Sequence, residues 1–408
     1  MRFISTAFNR LLQIPGASVT DVVITEREVE VTLRPSSRLL QCPCGQRVRG
    51  GYDRRRRRWR HLDLASRKLW LVYDIRRLNC PNCGVRTEQV PWSRPGARHT
   101  RDFEDTVLWL ARRTDRTSVA TLLRCAWETV TAIINRTVEE LLDERRLGEI
   151  YRIGVDEICY RHPHKYLTII GDHATGTVID IHPGRGVDSL TTFYDKLTAE
   201  QRADIEAVSM DGSTAFRSAT EDKLPGATIC YDPFHVMQWT NRALDEVFAA
   251  AMATNRADFN LSSGQWRKAR TALRTGAERL NPTRGHLVRT ITAQNHAIGT
   301  AWRMKEQLRQ LFRIADPTRA PRYLRRWIQR AAASGIRPLV QLARRLELHF
   351  DGIIATIELG ISNALIEGIN AKIRLINARG YGHHSAEALT SMIYLCLGGL
   401  NPKLPTKT

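Results

Sequence analysis

The residues in this chain best suited to chemistry fall into two sets, thiols and carboxylates. Cys42 and Cys44 in Cys42-Pro43-Cys44-Gly45, with Cys80 and Cys83 in Cys80-Pro81-Asn82-Cys83-Gly84, form a pair of pairs. Four thiolates satisfy the tetrahedral preference of Zn²⁺. In the second pair two intervening residues let both sulfurs reach one ion, and Gly84 permits the tight turn. The first pair is one residue shorter and its chelation more strained, so His61 could replace one thiolate; the alternative is a degenerate ribbon whose cysteines only pack. Cys125, Cys159, Cys230 and Cys396 lie among apolar residues and read as core.

The carboxylates are more telling. Asp156 stands inside an apolar strand-like run, Ile153-Gly154-Val155-Asp156, and Asp211 ends another, Val208-Ser209-Met210-Asp211. A charge within a buried strand is costly unless it is paired or holds a metal. Capping a turn would explain Asp211 alone, but not Asp156. A third candidate lies in the stretch from Ser362 to Arg374. As a helix, it puts Leu365, Ile366, Ile369, Ile373 and Ile376 on one stripe and Asn363, Glu367, Asn370 and Arg374 on another. Two amides flanking a single Glu suit the rim of a site better than a solvated face.

Other segments look built to touch polyanions. Arg54, Arg55, Arg56, Arg57 and Arg58 run consecutively into Trp59-Arg60-His61, which reads as a phosphate-contacting loop, or else as a solvated strand edge. Thr117 to Leu123 reads as a first helix capped by Thr117 or Ser118, followed by a turn at Arg124-Cys125-Ala126 and a second helix from Trp127 to about Val138. In that helix Val130, Ile133, Ile134 and Val138 would be buried. Trp127, Glu128, Thr131 and Asn135 would face outward, where the recognition helix of a helix-turn-helix meets a major groove.

The elements that must position these residues follow from periodicity. Residues 17–34 alternate as a half-buried strand pair, and 103–147 are helical. From 151 the order is three strands, helix, strand, helix, strand, the order of a ribonuclease-H-like mixed sheet, in which the first and fourth strands are neighbours. Asp156 and Asp211 would then converge. Residues 240–350 are helical and Arg-rich, with Trp266, Trp302 and Trp327 at core positions. The expected organisation is multidomain α+β: an N-terminal β segment (1–35), a zinc ribbon (36–92), a helix-turn-helix (93–148), a ribonuclease-H-like α/β domain (149–244), a helical stretch (245–351), the last helices (352–400), and a tail (401–408). The net charge of +20, from 62 Lys and Arg against 42 Asp and Glu, calls for a polyanionic partner. No apolar run approaches the roughly 20 residues of a membrane span, and no signal peptide is legible. The expected location is cytoplasmic and reducing.

Taken together these residues resemble the insertion-sequence transposases of the ISL3 type, over nearly the whole chain. The resemblance rests on CPNCG, SVATLLRCAWETV, GVDE around Asp156, VSMDGSTAFRSA around Asp211, YDPFHVMQWTNRALDEV, and SNALIEGINAKIRLINARGYG around Glu367. It implies that Asp156, Asp211 and Glu367 form a DDE triad holding Mg²⁺ or Mn²⁺, in a catalytic domain (149–244 and 352–400) interrupted by a helical insertion (245–351). Asn363 and Asn370 would support the triad, with Asp232 and His235 either beside the active site or forming a structural Asp–His hydrogen bond. It further implies that Lys372, Arg374 and Arg379 neutralise DNA backbone. The expected partners are double-stranded DNA (terminal inverted repeats and target) and a second copy of the chain; the expected setting is a bacterial nucleoid. Asn or Ala at a triad position would have favoured a non-catalytic DNA-binding regulator. The front-end modules weigh against a plain ribonuclease-H-like nuclease.

Overall fold

The computed structural model describes residues 2–142, 144–255, 259, 263–383 and 385–405. The end of the expected tail and residues 256–258 and 260–262 of the expected insertion lie outside the described residues. Two compact units emerge, Met1–Leu142 with Ile376–Thr408, and Asp143–Leu375.

The first unit begins with α1 (Arg2–Leu12), where the strand reading had no helix. Strands β1 (Ala17–Ile24), β2 (Glu28–Pro35), β3 (Leu39–Gln41), β4 (Arg47–Arg49), β5 (Asp53–Arg60), β6 (Lys68–Cys80) and β7 (Gly84–Thr87) follow, then α2 (Arg101–Ala111), α3 (Arg116–Leu122) and α4 (Trp127–Leu141). The main sheet runs β1-β2-β6-β5, with β7 paired to the end of β6 and β3 paired only to β4. The expected pair β1–β2 is antiparallel, and β2 runs parallel to β6, so residues 1–35 share a sheet with the segment that follows. Val29, Val31 and Leu33 of β2 pack with Leu69, Leu71 and Tyr73 of β6, Trp59, Trp92 and Phe8 of α1. Asn9 fastens α1 to β1, its Oδ1 accepting from Val19 N at 2.8 Å.

Arg54–Arg58 form no loop. They lie in β5, an edge strand paired along its length with β6. The helix-turn-helix is present, but α3 starts one residue earlier than expected: Asp115 caps it, accepting from Ser118 N at 2.9 Å. Arg124, at φ 49°, makes the turn. Val130, Ile133, Ile134 and Val138 are buried on α4 as read.

The second unit opens with β8 (Arg152–Arg161), β9 (Lys165–Asp172) and β10 (Val178–Pro183). It continues through α5 (Val187–Lys196), α6 (Ala199–Asp204), β11 (Ala207–Met210), α7 (Thr214–Lys223) and β12 (Thr228–Tyr231). The sheet order is β10-β9-β8-β11-β12, with β8, β11 and β12 parallel and β9 antiparallel to both its neighbours. This is the mixed sheet the element order called for.

Helices α8 (Pro233–Asn255), α9 (Ser263–Arg274), α10 (Pro282–Gln294), α11 (His296–Leu311), α12 (Ala320–Ala332) and α13 (Arg337–Leu348) follow. Trp266 and Trp327 are buried among them, and Trp302 packs against the same core. Then α14 (Phe350–Leu359) covers β12 and ends at Gly360, whose φ of 65° an L side chain resists. Beyond it α15 (Ala364–Arg379) departs at 88°. The last helix, α16 (Ala386–Leu397), packs on α4 within the first unit. No single helix among the described residues is long and apolar enough to cross a membrane.

Candidate active site

Strands β8 and β11 are adjacent and parallel, with Ile153 opposite Val208 and Gly154 opposite Ser209. Continuing that register brings Asp211 beside Asp156. Asp156, Glu157 and Asp211 each offer a carboxylate oxygen within 4.8 Å of the others. Glu157 was not anticipated, because a residue next to Asp156 on a strand should point away from it. Burial pushes the Asp156 carboxyl up to about 6, reinforced by the Asp211 charge. Burial, then Asp211 and Asp156, push Glu157 up to about 7. Asp156 accepts from Asn370 Nδ2 at 2.8 Å and from Glu157 N at 2.8 Å. Asp211 accepts from Ser213 N at 2.9 Å, so it caps a turn as well.

A second group sits in the same unit. Asp232, His235 and Glu367 have ligand atoms within 4.8 Å of one another, so Glu367 clusters with these two and not with Asp156 and Asp211. Asp232 is buried just past β12. Its Oδ2 accepts from Phe234 N at 3.0 Å and lies 3.4 Å from His235 Nδ1, while its Oδ1 accepts from Asn363 N at 3.2 Å. The neighbouring Asp232 raises the His235 pKa, with smaller contributions from Asp211 and Asp156, so His235 senses both groups. Glu367 is held above its ordinary value by burial and by Asp232, an effect offset in part by His235 and Arg374.

What brings α15 down onto the sheet is a pair of glycines. A Cβ on Gly154 would lie 2.4 Å from Ile366 Cγ1, and one on Gly171 would lie 2.6 Å from Ile366 Cδ1. The missing side chains on β8 and β9 leave the notch that Ile366 fills, and this sets the depth of Glu367. Asn363 staples the junction: Ser209 Oγ donates to its Oδ1 at 2.9 Å, and its Nδ2 donates to Val155 O at 3.4 Å. Asn363 and Asn370 are thus buried against the sheet and form no surface stripe.

The basic residues expected beside Glu367 divide. Lys372 and Arg374 are exposed. Arg379 is not available to DNA as expected: its guanidinium donates to Arg112 O at 2.6 Å and Ala111 O at 3.4 Å, closing the C-terminal end of α2.

In the first unit the four sulfurs of Cys42, Cys44, Cys80 and Cys83 lie within 4.8 Å of one another, with Cys44 and Cys80 at 3.7 Å. Tetrahedral Zn–S bonds of about 2.3 Å require sulfurs roughly 3.8 Å apart, so the set fits zinc. Gly45, at φ 90°, turns the short first pair back on itself. A hydrogen bond from the Gln46 backbone draws the Cys44 thiol down to about 7, towards the ligand form. His61 takes no part; it is buried elsewhere, 2.8 Å from Thr100 Oγ1.

Arg54, Arg55, Arg56 and Arg58 are exposed on β5, and Arg57 is half-buried. Arg58 lies over the Trp70 ring at 4.1 Å, and Arg57 donates to Ala97 O at 2.8 Å. The five line a cleft of about 1020 Å³ with Arg77 and Arg98. On α4, Trp127 and Glu128 are exposed, while Thr131 and Asn135 are half-buried. Arg116 donates to Thr131 Oγ1 at 3.2 Å, and Trp127, Thr131 and Asn135 share a groove with Tyr381 and His383.

Carboxylates gathered where parallel strands end, in a chain that also carries a thiol cluster and a helix-turn-helix, belong to the DDE class of DNA-transposition enzymes. Comparison agrees along the chain: the ISL3-type DDE transposase family matches residues 153–393, the helix-turn-helix domain of transposase family ISL3 matches 88–138, and the zinc finger of the IS204/IS1001/IS1096/IS1165 transposases matches 39–87. The transposase for insertion sequence element IS1557 of Mycobacterium tuberculosis is 35% identical over 98% of this chain and 96% of its own length. The transposase for IS1001 of Bordetella parapertussis is 27% identical over 88% of this chain and 89% of its own. The chain belongs to the ISL3 family of transposases.

Proposed function

We propose that the chain binds the terminal inverted repeats of its own insertion sequence and carries out divalent-metal-dependent strand cleavage and strand transfer. The observation that carries this is a pair of acidic groups, Asp156 with Glu157 and Asp211, and Glu367 with Asp232 and His235, linked by His235, which feels the charges of both. Such a density of partly buried carboxylates is self-repelling, which a cation relieves, and hard oxygen donors suit Mg²⁺ or Mn²⁺. Bound there, divalent ions supply the Lewis acidity that activates a water or 3′-hydroxyl and steadies the leaving oxygen.

The protein's own part is to hold charge in place. Asp156, Asp211 and Glu367 are the triad. Asn370 orients Asp156, Asn363 locks the junction on which Asp232 and α15 meet, and Asp232 shifts His235 towards its charged form. Lys372 and Arg374 face the DNA backbone. Cys42, Cys44, Cys80 and Cys83 hold a structural zinc. Arg54–Arg58 supply sequence-independent contacts, and Trp127 and Glu128 lead the reading face of α4. The ribbon (36–92) and helix-turn-helix (93–148) read DNA, the site belongs to 149–244 with 352–400, and 245–351 is the insertion. Joining two transposon ends requires a dimer or larger assembly.

The test is cleavage of end DNA in Mg²⁺ by Asp156→Asn, Asp211→Asn and Glu367→Gln, with Glu358→Gln as control, since Glu358 is exposed on α14. Each triad variant should lose cleavage and keep end binding, because the carboxylates act on the transition state. Wild-type cleavage by Glu367→Gln would refute the assignment.

A further inference from the structure

The helical insertion contains a set of arginines that its fold does not use. On α12 the buried face is Ala320, Leu324, Trp327, Ile328 and Ala331, with Trp327 Nε1 donating to Met304 O at 2.9 Å. The opposite side carries Arg322, Arg326 and Arg330 at successive four-residue steps, preceded by Arg319 at the cap position. All four are exposed. They border a cleft of about 1010 Å³ together with Asp316 and Tyr323.

Stability does not explain this arrangement. Helix α12 contains no acidic residue, so the four-residue steps set like charges against one another, each pair costing roughly 0.2–0.5 kcal/mol. Arg319 and Arg322 also sit at the positive end of the helix dipole, the wrong end for a cation. Among the described residues none of the four makes an ion pair within 4.0 Å. Some arginines elsewhere in the insertion are matched, Arg270 with Asp245 at 2.9 Å and Arg313 with Glu278 at 2.8 Å, but none of the four on this face is. Asp316 is the one carboxylate in that lining; it accepts from Thr318 Oγ1 at 2.7 Å and N at 3.1 Å and attracts Arg319 from beyond ion-pair distance, so one negative charge stands against four positive ones. Tyr323 is likewise tied, donating to Gln307 O at 2.7 Å, so its ring is a fixed wall.

We infer that this face of α12 is a docking surface for the phosphate backbone of duplex DNA, separate from the carboxylate site and from the ribbon and helix-turn-helix. The arginines stand about 6 Å apart along the helix, a ladder of cations that a strand of phosphates answers and a single small anion does not. Nothing on this face is suited to reading bases, so its contribution is independent of sequence.

The inference rests on the reading of the chain as a DNA-acting enzyme, and the test separates the two. The full chain and a variant carrying Arg319→Gln, Arg322→Gln, Arg326→Gln and Arg330→Gln are titrated with random duplex DNA at salt from about 50 to 200 mM. Four phosphate contacts add about 3.6 to the slope of log affinity against log salt, so wild type should lose about 150-fold more affinity across that range than the variant. A slope shallower by about 2 or more supports the inference, and any smaller change overturns it. Replacement of all four by Lys should restore the slope, which a packing role would not. If the Gln variant unfolds, Arg322→Gln with Arg326→Gln carries the test, with a slope change of about 1.8 expected and less than about 1 overturning it. Cleavage of end DNA by the same proteins is assayed in parallel, so a failure of the catalytic reading shows in cleavage while this one is read in binding.

Discussion

Asn370 on α15 donates its Nδ2–H to Asp156 Oδ2 at 2.8 Å, joining residues 214 positions apart in sequence. The bond orients the one triad carboxylate that lies within a strand. The amide's other atom, Oδ1, is buried with no hydrogen-bond partner among the described residues, a costly state unless the site fills it. Asn370→Ala should therefore weaken the metal dependence of cleavage more than the fold. About 10- to 100-fold more Mg²⁺ should be needed for half-maximal cleavage. An unchanged Mg²⁺ requirement would show that the bond has no part in catalysis.

The carboxyl shifts predict a pH effect with a definite sign. Asp156 is raised to about 6 and Glu157 to about 7 by burial and mutual repulsion. A group whose folded pKa exceeds its unfolded value adds stability below the unfolded pKa, near 4 for these carboxyls, and loses it as pH rises through the folded pKa. Metal-free protein should thus lose on the order of 2 kcal/mol between about pH 4 and 7 from Asp156 alone. Asp156→Asn should remove much of that loss, and Mg²⁺ should reverse it in wild type. Thermal melts of both proteins across that window decide it, and parallel curves would be the contrary result.

Gly154 and Ile366 give a packing test. Gly154→Ala sets a methyl 2.4 Å from Ile366 Cγ1, so either α15 lifts or the strand shifts. The cost should be about 1–3 kcal/mol of stability, with cleavage reduced more than stability because Glu367 rides on the same helix. Gly154→Ala with Ile366→Ala should recover part of both. If the double variant is no better than Gly154→Ala alone, Ile366 is not what sets the depth of Glu367.

How much of this was legible in the sequence depends on how local each signal was. Asp156 announced itself because a charge interrupts an apolar strand, and Glu367 because two amides flank it at helical spacing. Glu157 was invisible because strand alternation assigns it to the other face, while its longer side chain still reaches the Asp156 and Asp211 carboxylates. Five consecutive arginines carry no alternation, so β5 could be read as a loop or as a strand edge; the edge is what forms, because β6 supplies the pairing. Thr117 and Ser118 looked like caps by residue type, but Asp115 has the extended backbone that a cap needs. The bond from Arg379 to the α2 carbonyls and the seating of α16 on α4 join segments more than 240 residues apart, and no window of sequence encodes them.

The thiol cluster should hold about one Zn²⁺ per chain. Metal analysis of protein purified without chelator checks this. Cys83→Ser should lower occupancy and loosen the β6–β7 end, while His61→Ala should leave zinc content unchanged because His61 is engaged with Thr100. Zinc loss on His61→Ala would restore it as a ligand.

The seating of α16 also bears on how the DNA-reading modules can be isolated. On sequence grounds residues 1–148 should suffice to bind transposon ends, since ribbon and helix-turn-helix both lie there. The structure argues otherwise. Leu389, Met392 and Ile393 of α16 are buried, and α16 packs on α4. Arg116 donates to Ala388 O at 2.9 Å, and Arg379 closes the end of α2. Exposing three such side chains and their partners costs at least about 5 kcal/mol, comparable to the whole stability of a small domain. A fragment of residues 1–142 should therefore keep its zinc and its β-sheet while α2–α4 lose protection. Full-length Asp211→Asn, which retains α16, should bind end DNA with preference over random DNA, and the fragment should not. Amide hydrogen exchange across α4 in both proteins gives the answer directly. Protection in the fragment equal to that in the full chain would mean that α16 contributes nothing to the reading unit.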